Sequence, residues 1–120
     1  GGTYCGNPLM CAVGFAVLQS LVADGFLSTS RNVGLELRNG LESLSREFGL
    51  GEVRGHGLLL ALELGRDVAP QVVTAAREAG LLLNAPRAHC LRFMPALNST
   101  EGEIKQGLAL LRDVLKPLVR

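Results

Sequence analysis

EVRGHGLLLALELG, residues 52–65, decides whether the helices of this chain pack on one another or on a sheet. Two glycines flank His56, and the apolar run that follows ends in Glu63. The stretch reads as one bent strand or two short ones, with Gly55 and Gly57 marking the bend. Downstream, APQVVTAAREA (69–79) reads as a helix, with Pro70 near its start and Gly80 after its end. Leu81, Leu82 and Leu83 then read as a short strand, residues 84–87 as a turn, and His89 to Met94 as the returning strand of a hairpin stopped by Pro95. In the final segment Thr100 and Glu103 fit a capping box. Ile104, Leu108, Leu111, Leu115 and Leu118 follow at spacings of 4, 3, 4 and 3, one face of a helix, with Pro117 expected to fray its last turn.

Upstream, Val33, Leu37, Leu41, Leu44 and Phe48 recur at spacings of 4, 4, 3 and 4. They predict a helix that begins near Leu27 or Ser28 and ends at Gly49 and Gly51. The order helix, helix, strand, helix, hairpin, helix predicts an α+β fold, with helices packed on one face of a small, mainly antiparallel sheet.

The first helix is the unusual one. Asn7 is a good N-cap, and Pro8 suits the first helical position. The helix is expected to run to about Ala23 and to stop at Asp24-Gly25, with glycine in the left-handed conformation. Leu9, Met10, Val13, Phe15, Val17, Leu18, Leu21 and Val22 surround it on nearly every side. A helix apolar all round has to be covered all round. A chain of 120 residues supports one modest core and would struggle to enclose it. The expectation is that other protein packs there, residues 1–24 forming an interface segment and residues 25–120 the small domain proper. The uncharged run from Leu9 to Val22 contains Gly14, Gln19 and Ser20 and is shorter than the roughly 20 residues of a membrane span. No positively charged leader precedes it, so neither a membrane nor a secretory signal is expected, and a cytoplasmic location is.

Composition narrows the function. Twelve basic and 11 acidic residues leave a net charge of +1, with no Lys/Arg run and no Trp, so no nucleic-acid partner is expected. The three cysteines, Cys5, Cys11 and Cys90, form no CxxC pair and predict reduced, buried thiols, with neither disulfides nor zinc. His56 and His89 lie far apart without HxxxH spacing, and no metal site is expected. There is no Gly-x-Ser-x-Gly elbow, and Gly55-His56-Gly57 is too short for a dinucleotide fingerprint. Two features remain. Residues 1–6, GGTYCG, are either a flexible start or a loop whose N–H groups and Thr3 hydroxyl can hold a phosphate ahead of a helix. Arg92, inside the apolar strand LRFMP, needs an anion, solvent, or a structural ion pair, for which Glu63 is the candidate.

GGTYCGNPLMCAVGFAVL resembles the HGTTYGGNPLACAVA-type segment of the class III pyridoxal-phosphate aminotransferases, which have fold type I. The resemblance continues through EVRGHGLLLALEL and AREAGLLLNAPRAHCLRFMPALNSTEGEI and covers essentially the whole chain. It implies the small, C-terminal domain of a homodimeric enzyme that transfers an amino group between a terminal amine and 2-oxoglutarate. By the same resemblance Thr3 binds the cofactor phosphate from the neighbouring subunit, Gly2 stands at a position that is often Ser or Thr, and Arg92 faces the substrate carboxylate. Cys5 departs from the usual glycine. The family's cofactor-bearing lysine and its pyridine-pairing aspartate have no counterpart here. Lys105 and Lys116, the only lysines, lie in the last helix and match neither, so no catalytic residue is assigned and the chain alone is expected to be inactive.

Overall fold

The computed structural model describes residues 1–119. Its elements are α1 (Pro8–Val22), α2 (Phe26–Phe48), β1 (Val53–His56), β2 (Leu59–Glu63), α3 (Ala69–Glu78), β3 (Asn84–Arg87), β4 (Cys90–Phe93) and α4 (Glu101–Leu118). The strands form one antiparallel sheet in the order β1-β2-β4-β3.

Alternation along the two central strands makes the sheet one-sided. Leu60 pairs with Phe93 and Leu62 with Leu91, and all four are buried on the same face. Against them pack Val33, Leu37, Leu41 and Leu44 of α2, Val72 and Ala76 of α3, and Ile104, Leu111, Val114 and Leu115 of α4. The predicted α+β architecture, helices on one sheet face, is the one observed. The intervening strand positions, Ala61, Glu63 and Arg92 among them, point to the opposite face, which carries no helix.

The stretch 52–65 resolves into two strands, β1 and β2, joined across Gly57-Leu58. Gly55 is obligatory in that hairpin. Its φ is 122°, and a Cβ there would fall 2.1 Å from the Leu59 carbonyl oxygen, a backbone atom that cannot step aside. β1 is an edge strand, and Arg38 of α2 covers part of that edge by donating to the Val53 and Gly55 carbonyls, at 3.2 and 2.5 Å.

The second hairpin differs from expectation. Leu81 to Leu83 are not a strand; residues 84–87, expected as a turn, are β3. The reason lies at the end of α3. With Gly80 left-handed at φ 85°, the Leu81 N–H donates to the Ala76 carbonyl at 2.8 Å and ties the chain to the helix terminus. Leu81 and Leu83 pack on the core from that loop. Pairing starts only at Asn84, opposite Arg92, and runs with a register shift to Arg87 opposite Cys90.

Three smaller expectations are also corrected. α1 ends on an extended Ala23, and the left-handed Gly25 is instead the residue that opens α2, which begins at Phe26. Pro117 does not fray α4, which continues through Leu118, and the Val119 N–H still donates to the Leu115 carbonyl at 3.0 Å. Of the three free cysteines only Cys90 is buried; Cys5 and Cys11 are exposed because the loop and α1 lie outside the core.

The α4 cap is the predicted one. The Glu103 N–H donates to Thr100 Oγ1 at 3.2 Å, and the Thr100 N–H donates back to Glu103 Oε2 at 2.7 Å. That backbone bond, then the Thr100 hydroxyl, holds the Glu103 carboxyl below the usual range. A carboxyl depressed on folding adds stability above its unfolded pKa, about 4.3, and loses it as pH falls through the folded value. Thr100→Ala should therefore cost about 1 kcal/mol in urea unfolding at pH 7. The stability gap between the parent chain and Glu103→Gln should be constant above about pH 5 and shrink as pH falls further.

Candidate functional site

The first candidate element is the loop ahead of α1. Residues 2–5 close a turn in which the Cys5 N–H donates to the Gly2 carbonyl at 3.0 Å. Asn7 Oδ1 accepts from the N–H groups of Leu9 and Met10, at 3.1 and 3.2 Å, so the first donors of α1 are already engaged. Thr3 is exposed, and among the described residues neither its hydroxyl nor its N–H has a hydrogen-bond partner. The loop thus presents free O–H and N–H donors on a short turn, the chemistry a phosphate takes, and Thr3 fits the part that the resemblance implies for pyridoxal phosphate.

The second element is the bare face of the sheet. Register places Arg54, Ala61, Arg92 and Asn84 in one rung across all four strands. Two strand spacings, roughly 10 Å, separate the backbones of the two arginines. Glu63 lies two residues along β2 from Ala61, diagonal to both arginines. It pairs with Arg54, hydrogen-bonding Nη2 through Oε1, and this contact raises the Arg54 pKa further. His89 Nε2 lies 3.8 Å from the other Glu63 oxygen, and His89 Nδ1 lies 3.6 Å from Asp67. Beneath this cluster Cys90 is buried, which pushes its thiol pKa up and keeps it a weak nucleophile.

The Arg92–Glu63 ion pair considered from the sequence does not form, because Arg54 takes the carboxylate. Among the described residues Arg92 makes neither a hydrogen bond nor an ion pair, and its side chain is exposed. Arg92 also borders a cavity of about 370 Å³, but that cavity opens on the helix-covered side of the sheet, among Leu37, Phe93, Ile104, Leu108 and Leu111, and not on the bare face. Thr3 does not border the cavity that Arg92 borders, so within one chain the two residues share no pocket. The Arg54–Glu63 pair was missed from the sequence. The available signal was the strand alternation that puts residues 54, 61, 63 and 92 on one face.

The third element is α1 itself. None of its residues is buried; Leu9 is 66 % exposed, Phe15 61 % and Val22 65 %. α1 meets α2 at a bend of 70°. The radius of gyration, 17.2 Å, exceeds the roughly 14 Å of a compact domain of this length because that arm projects from the core. Among the described residues no single helix is long and apolar enough to cross a membrane.

The sequence pattern of the aminotransferase class III family matches residues 1–115, and the chain belongs to that family. Within it the chain is similar to acetylornithine aminotransferase of Ralstonia nicotianae, with 56 % identity over 119 residues, covering 97 % of this chain and 30 % of that protein. Its fold matches the crystal structure of N-acetylornithine aminotransferase from Stenotrophomonas maltophilia with a TM-score of 0.87 at 33 % identity, over 95 % of this chain and 32 % of that one. The acetylornithine aminotransferase of Elizabethkingia anophelis gives a TM-score of 0.90 at 27 % identity, over 98 % of this chain and 32 % of that one. The chain therefore spans about 30 % of the length of the relatives it matches.

An apolar helix left this bare should drive association. Light scattering on the 12.7 kDa chain should give a mass above that of the monomer, and Phe15→Glu with Val22→Glu should lower it. A monodisperse monomer in the parent chain would contradict this.

Proposed function

We propose that the chain is the small-domain portion of an acetylornithine-type aminotransferase. The reaction is amino transfer between the terminal amine of N-acetylornithine and 2-oxoglutarate, in a cytoplasmic homodimer of arginine biosynthesis. The identity to acetylornithine aminotransferases supports the donor. The share of those proteins that the chain spans supports a further domain that carries the cofactor lysine. Lys105 and Lys116 are both exposed on α4, and Lys105 lies 3.6 Å from Glu101, which supports a surface role for it. Residues 1–24 are the interface segment in this reading, and residues 25–120 the small domain.

Pyridoxal phosphate, when bound, supplies the electron sink for amino transfer. Thr3 would hold its phosphate through the free hydroxyl and N–H, acting on the neighbouring subunit's site. Gly2 beside it would lend backbone and no side chain. Arg92 would bind the substrate carboxylate, for which a guanidinium offers two parallel donors.

One observation carries this reading. Arg92 keeps its charge unpaired although Glu63 is its diagonal neighbour, because Arg54 occupies that carboxylate. An arginine held without an internal partner on an apolar strand is available to an external anion. In the intact enzyme Arg92→Ala should raise the KM for 2-oxoglutarate by about 10- to 100-fold, the value of a charge-assisted hydrogen bond. Arg92→Lys should recover part of the loss. N-acetylornithine should be preferred to ornithine as donor. Unchanged 2-oxoglutarate kinetics in Arg92→Ala would remove Arg92 from the site.

A further inference from the structure

Glu63 has two arginines within reach, and the structure fixes which one it serves. It stands on β2 two residues beyond Ala61, whose partners across the sheet are Arg54 on one side and Arg92 on the other. Both arginines are therefore diagonal neighbours of one carboxylate, roughly 7–8 Å along such a diagonal and within reach of a long side chain. The strand that carries Arg54 is fixed to α2, because Arg38 donates to the carbonyls of Val53 and Gly55, the residues on either side of it. From there the Arg54 side chain crosses β2. Its Nη2 bonds Glu63 Oε1 and also lies 3.9 Å from Cys90 Sγ, on β4. The guanidinium thus fills the space between Glu63 and β4, the strand of Arg92. Burial pushes the Cys90 thiol pKa up and keeps the thiol protonated, so Glu63 is the anion that Arg54 meets there. The other Glu63 oxygen faces His89 Nε2 at 3.8 Å, and neither oxygen is within ion-pair distance of Arg92.

We propose that Arg54 is a positioning residue for anion binding: by holding Glu63, and by standing between it and β4, it keeps the Arg92 guanidinium free for a substrate carboxylate. Arg54 itself touches no substrate. Without it, Glu63 turns to Arg92, its remaining guanidinium neighbour, and competes with the incoming carboxylate as an internal anion. A carboxylate already fixed on the adjacent strand meets Arg92 without the loss of freedom that a free anion suffers on binding. This rests on the reading of Arg92 as a carboxylate ligand. It goes further in giving a role in substrate affinity to an ion pair that lies outside the contact.

The test is steady-state kinetics of the intact enzyme at low ionic strength, with melting temperatures as the check on folding. Arg54→Gln should raise the KM for 2-oxoglutarate about 3- to 5-fold, the scale of one exposed ion pair competing for Arg92, and change kcat by less than about twofold. The double variant Arg54→Gln/Glu63→Gln lacks the same ion pair, yet its KM should return to within about 1.5-fold of the parent, because the competing carboxylate is gone. A double variant as weak as Arg54→Gln alone would mean that the pair only supports the sheet, and would overturn the positioning role. So would an Arg54→Gln enzyme with the parent's KM. Arg92→Ala separates this role from the reading beneath it. If Arg92→Ala raises KM and Arg54→Gln does not, only the positioning role falls. If Arg92→Ala leaves KM unchanged, both fall together.

Discussion

The pairing of β2 with β4 is the constraint on which the rest of the molecule depends. Once Leu60 faces Phe93 and Leu62 faces Leu91, one face of the sheet is committed to α2, α3 and α4. A one-residue slip of either strand would turn its own apolar pair to the bare face and bring its polar residue, Glu63 of β2 or Arg92 of β4, into the core. Burying Arg92 or Glu63 against leucines without a partner would cost several kcal/mol, so the register is held from both sides. The chemistry-bearing face is a by-product of the same alternation. It sets Arg54, Arg92 and Asn84 in one rung and leaves Glu63 to decide which arginine stays free.

That decision links fold to function. Glu63 lies diagonal to two guanidiniums and is bonded to one of them. Its pairing with Arg54 leaves Arg92 exposed and, among the described residues, without an internal partner. The loop at the other end of the chain works in a different currency: free donors on a turn, with Asn7 engaged in capping α1 so that the helix start does not compete for them. These two elements are separate in a single chain, as expected if each completes a site only with other protein.

Much of this was readable from residues. The stripes of α2 and α4, the capping box at Thr100 and the one-sided sheet follow from periodicities of 3.6 and 2 that burial enforces. The all-round apolar character of α1 announced a helix that the domain does not cover, and no α1 residue is buried. What was not readable depended on competition between nearby partners. Leucines at 81 to 83 have strand-like character, yet the Ala76 carbonyl claims the Leu81 N–H before β4 can. Arg92 and Arg54 are equivalent neighbours of Glu63 by register, and only side-chain geometry separates them.

The central claim is that α1 and its lead-in loop are shaped to lie against protein outside this chain. Cys11, exposed on α1, reports on that surface directly. Maleimide labelling of Cys11, read by peptide mass spectrometry, should be fast in a Phe15→Glu/Val22→Glu form of the 120-residue chain and at least tenfold slower in the intact folded enzyme. Equal, rapid labelling of Cys11 in both would contradict the account.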